Sequence, residues 1–275
     1  MLKKKKMTKL NITTGYSKNG LPYTRMGNGE RVLVVFDGLD FSHKPQSAWA
    51  LRMMPGFIKP LADTFTIYLV RRRPGLPAGY SMRDMSDDYA KMIRDELGGP
   101  VDIMGISTGG PIAQYFAVDH PELVNHLVLA MTGYRLRKNG KRLQRRVGEL
   151  TRKGKWRTAA ALMSTSMFSG FKGLLFKSMF WLLGKGMFGS PKTPSDGIVE
   201  IEAEDRFNFK DHLAEIKVPT LVIGGDKDFF YPVSETADRI PDAKRVIYEG
   251  IGHTAAMKRQ FSVDVLEFLS PDTVH

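Results

Sequence analysis

The stretch Val101-Asp102-Ile103-Met104-Gly105-Ile106-Ser107-Thr108-Gly109-Gly110 runs from an apolar segment, through one serine, into a glycine pair followed by the helical pattern of Pro111 to Val118. A short apolar run reads as a buried strand, and the change of period after it as a helix. Gly105 to Gly109 fit G-x-S-x-G, a pattern with mechanical meaning at such a strand-to-helix junction. There a sharp turn forces the serine into a strained conformation and lifts its hydroxyl clear of the sheet, so its neighbours must be small. Gly105, Gly109 and Gly110 supply that room, and Ser107 becomes the candidate nucleophile.

Outward from this junction, apolar runs recur at Val32 to Phe36, Thr66 to Val70, Leu127 to Met131, Thr220 to Ile223 and Arg245 to Tyr248. Helical patterns such as Ser86 to Leu97 lie between most of them. This alternation predicts an α/β fold built on a mostly parallel, doubly wound sheet covered on both faces. The rhythm breaks once: about 90 residues separate Met131 from Thr220, far more than a crossover helix needs. Residues 134–210 therefore read as an inserted helical cap on a core domain formed by 1–133 and 211–275.

The insertion opens with a basic stretch (Arg135, Arg137, Lys138, Lys141, Arg142, Arg145, Arg146). Farther on, Met163, Met167, Phe168, Phe171, Phe176, Met179, Phe180 and Trp181 read either as packed core or as an apolar pocket wall. Lys172, Lys177, Lys185 and several glycines interrupt Phe171 to Phe188, which excludes a membrane span of about 20 apolar residues. A face in weak contact with a lipid surface stays open.

Hydrophobic residues make up 42% and charged residues 25% of the 275, a balance that supports a buried core and excludes a disordered chain. The absence of cysteine excludes disulfides, thiolate zinc sites and cysteine nucleophiles. The net charge of +12 comes without any nucleic-acid recognition motif, so no specific nucleic-acid partner is expected. Lys3 to Lys6 lead into a polar stretch, Met7 to Gly20, that lacks the apolar run of a signal peptide, and a cytoplasmic protein is expected.

A serine hydroxyl needs a base within hydrogen-bond reach and a third group that fixes the base's tautomer. Among six histidines, His253 lies in Gly250-Ile251-Gly252-His253-Thr254, directly after the last strand and at the sheet edge expected for Ser107. His120, His126, His212 and His275 read as structural. Gly225-Asp226-Lys227-Asp228 follows the strand Thr220 to Ile223 and offers two carboxylates. Asp228 is the expected acid, with Asp226 open as an alternative that instead bonds local backbone. The oxyanion of a tetrahedral intermediate needs preorganised donors. These are expected from the backbone amides of Thr108 and of Leu39, in the Asp37-Gly38-Leu39 loop after Val32 to Phe36.

The Gly-Ile-Ser-Thr-Gly-Gly elbow, the late Gly-Asp-Lys-Asp and the terminal Gly-Ile-Gly-His together resemble the α/β-hydrolase superfamily, as do Arg73-Pro74-Gly75 and His120-Pro121-Glu122. The resemblance covers most of the chain outside the cap. It implies hydrolysis of an ester or related acyl bond of a small-molecule substrate, with no metal and no organic cofactor. One departure is Asp37-Gly38 where family members commonly carry His-Gly, since a carboxylate beside an oxyanion hole opposes developing negative charge. Two further readings stay open: carbon–carbon or amide bond hydrolysis on the same residues, and a binding protein that keeps the scaffold without turnover. Asp37, Asp40 and His43 have the spacing of metal ligands but read as ordinary loop residues, and Arg71 to Arg73 read as a solvated basic loop, with binding of a substrate carboxylate or phosphate as the alternative.

Overall fold

The computed structural model describes residues 11–46, 57–167, 175–182 and 195–270. Lys3 to Lys6, Phe168, Phe171, Lys172, Lys185 and His275 lie outside the described residues. Eight strands form one sheet: β1 (Ile12–Tyr16), β2 (Pro22–Met26), β3 (Arg31–Phe36), β4 (Phe65–Val70), β5 (Val101–Ile106), β6 (Val124–Ala130), β7 (Thr220–Gly225) and β8 (Lys244–Tyr248). Their spatial order is β1-β2-β4-β3-β5-β6-β7-β8. From β4 to β8 every pairing is parallel, while β2 runs antiparallel to both β4 and β1.

All six expected strands are present, and β1 and β2 are additional. β1 is a largely exposed edge strand, so its sequence carries little of the apolar signal that marks a buried one. In β2 the buried positions are Pro22, Thr24 and Met26, alternating with half-buried Tyr23 and Arg25. That alternation has the period of a strand without its usual composition.

Residues alternate across the inner strands and fill two cores. Val34, Phe36 and Ile103 face one side with Tyr89 of helix α2 (Met82–Met92) and Phe116 of α3 (Gly109–Asp119). Leu33, Val35 and Met104 face the other with Leu61 of α1 (Ile58–Ala62) and Phe261 of α8 (Arg259–Leu269). The sheet is therefore doubly wound. Helix α2 starts earlier than its apolar pattern because Ser81 caps it: the Ser81 hydroxyl accepts from the Asp84 amide, and the Asp84 carboxylate accepts from the Ser81 amide. A π-helical turn, Ile93–Leu97, continues it to Gly98, whose φ of 74° ends it.

Between β6 and β7 lie α4 (Lys138–Arg152), α5 (Trp156–Ser164) and α6 (Asp196–Arg206). Val147, Leu150, Ala159 and Ile201 join Phe41 in a small core of their own. Residues 175–182 are also helical. Leu175, Met179, Trp181 and Leu182 there are exposed, so Met179 and Trp181 are not the packed residues their composition suggests. Trp181 instead lies beneath the Arg157 guanidinium, 5.0 Å away. Among the described residues no helix is long and apolar enough to cross a membrane. The short helix α7 (Val233–Ala237) completes the set after β7.

Candidate active site

Ser107 follows the last residue of β5 with a φ of 50°. This left-handed conformation costs a non-glycine residue about 1–3 kcal/mol and persists only where its surroundings over-determine it. Here they do. The Ser107 amide donates to Ala130 O at 3.0 Å, and its carbonyl accepts from the Thr132 hydroxyl at 2.8 Å and the Gly110 amide at 2.9 Å. Close packing explains the glycines. A β-carbon on Gly109 would lie 2.0 Å from Phe36 O, and one on Gly110 2.1 Å from Thr132 Oγ1.

The structure brings together the three residues singled out in the sequence. Ser107 Oγ lies 3.0 Å from His253 Nε2, and His253 Nδ1 lies 2.8 Å from Asp228 Oδ2. Asp228 is buried in the loop after β7, and its Oδ1 accepts the amides of Phe230 and Tyr231 at 2.8 and 2.9 Å. Those bonds fix the carboxylate and leave Oδ2 to the imidazole. With Nδ1 turned to Asp228, the other ring nitrogen, Nε2, faces the serine hydroxyl. The ring is held by Phe230, at a centroid distance of 4.8 Å, and by Tyr231, nearly parallel at 5.9 Å. Asp226 turns to Lys227 at 3.3 Å. His120, His126 and His212 pair with Asp87, Asp102 and Glu215.

The loop after β3 spends its amides selectively. Asp37 N donates to Val70 O, Gly38 N to Asp37 Oδ1, and Asp40 N, at 3.4 Å, to Glu200 Oε2. Among the described residues no acceptor is present for Leu39 N. The Thr108 amide, at the N-cap of α3, is likewise free, as helix-opening amides are. Asp37 does not leave an uncompensated charge, because its Oδ2 accepts from Arg71 Nε at 2.8 Å. Asp40 and His43 are also committed: Asp40 accepts from Ser42 and the His43 amide, and His43 Nδ1 lies 3.0 Å from Arg73 O. Among the described residues no cluster has the make-up of a metal site.

Several buried polar residues here were not expected. Arg72, read from sequence as part of a solvated loop, is 1% exposed. Its Nε donates to Glu200 Oε1 at 2.8 Å and its Nη2 to Glu200 Oε2 at 2.5 Å. His43 Nε2 stands 2.8 Å from Glu200 Oε1, an ion-pair distance without good hydrogen-bond alignment. One turn along α6, Glu204 is fully buried and accepts from the Thr108 hydroxyl at 3.1 Å and from the Tyr231 hydroxyl. Burial pushes its carboxyl up to about 7, against hydrogen bonds from Tyr231, Gln144 and Thr108 that pull it down. Burial, followed by the charge of Glu204, lifts the Tyr231 phenol well above its ordinary range. The only sequence signal for this pair was two glutamates four apart, interleaved with Ile201 and Ala203.

Residues 41–260 match the family model described as alpha/beta hydrolase fold. Over 278 aligned residues, 95% of each chain, the protein is 26% identical to a 2-hydroxy-6-oxononadienedioate/2-hydroxy-6-oxononatrienedioate hydrolase of Pseudomonas sp. It is 33% identical to a non-heme chloroperoxidase of Kitasatospora aureofaciens over 102 residues, 34% of this chain and 35% of that protein. Among solved structures, the enol-lactonase of Burkholderia xenovorans superposes with a TM-score of 0.76 at 19% identity, covering 94% of this chain and 100% of that one.

Proposed function

The chain belongs to the alpha/beta hydrolase fold family, and from that premise we propose that it is a serine hydrolase cleaving carboxylic esters, or related acyl bonds, of a small to medium apolar substrate. One observation carries the reading: a serine held at a φ of 50° presents its hydroxyl 3.0 Å from an imidazole whose other nitrogen is bonded to a buried carboxylate.

Ser107 Oγ attacks the acyl carbon as His253 Nε2 takes its proton, and Asp228 stabilises the imidazolium that results. The carbonyl oxygen becomes an oxyanion facing the free amides of Leu39 and Thr108. Collapse expels the alcohol, which His253 protonates, and leaves an acyl-enzyme. Water, deprotonated by the same imidazole, then releases the acid and restores Ser107. Residues 134–210 act as the cap that shapes the acyl pocket.

The test is hydrolysis of p-nitrophenyl esters of increasing acyl length by wild type and Ser107→Ala, with folding checked by circular dichroism. Activity that disappears in the folded variant supports the assignment; equal activity in both removes Ser107 from the chemistry. A second reading, carbon–carbon bond hydrolysis by the same residues, draws on the Pseudomonas relative matched across 95% of both chains, a hydrolase of a hydroxy-oxo-dioate. Turnover of such a dienedioate without ester turnover would favour it.

A further inference from the structure

Glu200 and Glu204 lie one turn apart on the same face of α6, and both are fully buried. Two carboxyl groups in a protein interior carry a large desolvation cost that apolar side chains of the same size would avoid. Each is satisfied by a different segment of the catalytic centre. The Arg72 guanidinium that pairs with Glu200 also donates to the carbonyls of Asp37 at 2.7 Å and Gly38 at 2.6 Å. Gly38 C=O and Leu39 N–H belong to one planar trans peptide and point in opposite directions, so fixing the carbonyl aims the amide. Glu204 holds the Thr108 side chain, and the Thr108 amide stands at the start of α3 beside Ser107. It also holds the Tyr231 hydroxyl, whose ring lies against His253.

We infer that helix α6 is a working part of the catalytic centre: Glu200 and Glu204 are positioning residues for the two arms of the oxyanion hole, Glu200 acting through Arg72 on the Leu39 amide and Glu204 through the Thr108 side chain on the Thr108 amide. The inference rests on the oxyanion roles proposed for those two amides. It makes the inserted helix part of the hole's frame as well as a wall over the substrate. The two carboxyl groups are held differently: Glu200 by a guanidinium, Glu204 by the hydroxyls of Thr108 and Tyr231.

The experiment measures kcat and KM on a p-nitrophenyl ester, and the rate of Ser107 phosphonylation by a fluorophosphonate, whose phosphoryl oxygen occupies the same hole. The variants are Glu204→Leu, Glu204→Gln and the double variant Arg72→Met with Glu200→Met, which removes both charges at similar volume. Glu204→Leu and the double variant are expected to lose about 10–100-fold in kcat and in phosphonylation, with KM changed less than about threefold. Glu204→Gln keeps an acceptor for Thr108 and is expected within about threefold of wild type. Folded variants that lose thermal stability but keep both rates overturn the inference. Should Glu204→Leu fail to fold, Thr108→Val deletes only the hydroxyl anchor, and unchanged rates in it overturn the inference equally. Wild type that neither turns over the ester nor takes the phosphonate at Ser107 overturns the parent reading, and this one with it. Wild type that reacts while the variants match it overturns this one alone.

Discussion

Strand β5 has an aspartate–histidine pair near each end. At its start, Asp102 Oδ1 lies 2.7 Å from Nδ1 of His126, its register partner on β6; beyond its end, the Asp228–His253 contact measures 2.8 Å. The contacts are nearly equal and the surroundings differ. The second oxygen of Asp102 is taken by Arg31 at 2.7 Å, so a guanidinium shares its charge, and His126 remains 29% exposed. The second oxygen of Asp228 is taken by two backbone amides, which orient the carboxylate without bringing a full positive charge, and the far nitrogen of His253 meets a strained serine. A carboxylate against an imidazole is thus an ordinary ion pair until its other oxygen is held by dipoles alone and its histidine is given a hydroxyl to act on.

The sharpest test of this contrast is the same substitution at both ends. Asp228→Asn is expected to cut kcat on the order of 10⁴-fold, because a carboxamide no longer enforces the tautomer with a free Nε2. Asp102→Asn is expected to leave kcat within about twofold and to lower the melting temperature, since Arg31 loses its counter-charge and His126 its carboxylate partner. Ester kinetics and thermal melts of the two proteins decide it, and comparable kcat losses would break the comparison.

Glycines before and after β5 give a second pair. Gly110→Ala drives a β-carbon to 2.1 Å from Thr132 Oγ1 and is expected to cost about 3 kcal/mol. Gly98→Ala meets no atom within 4 Å and carries only the strain of its φ of 74°, about 1 kcal/mol. Urea titrations should rank them in that order.

A pH series sharpens the contrast further, through the buried carboxyl bonded to Thr108. The Glu204 carboxyl ionises near 4.5 when unfolded and about 7 when folded, so the folded state holds an extra proton between those values. Stability relative to Glu204→Gln should therefore be greatest below pH 4.5 and fall as pH rises through 7, by up to about 3 kcal/mol. A flat difference would show that burial does not lift the carboxyl above its unfolded titration point. Arg146→Ala, which breaks an exposed pair with Glu149 on α4, supplies the smallest effect, a melting shift under about 1 °C.

The inner strands and the serine–histidine–aspartate set were legible because each rests on local constraints: apolar runs, obligatory small residues around a strained turn, and loops that follow strands. β1 and β2 were not legible, because an edge hairpin buries little and takes its order from a neighbour far along the chain. Arg72, Glu200 and Glu204 were hidden for the opposite reason. A charged residue in a loop or on a helix reads as solvated by default, and only long-range meetings, of residue 72 with 200 and of residue 204 with 108 and 231, give these side chains partners in the interior. Asp37 shows the same effect, since the charge that put its loop in doubt is answered by Arg71, 34 positions away.

Ser107 and His253 are 146 positions apart. A ribosome adding about 5–20 residues per second completes the elbow roughly 7–30 s before the histidine emerges. On the roles proposed here, the growing chain carries its nucleophile without a base until all eight described strands have been made, so hydrolysis cannot begin before β8 is complete.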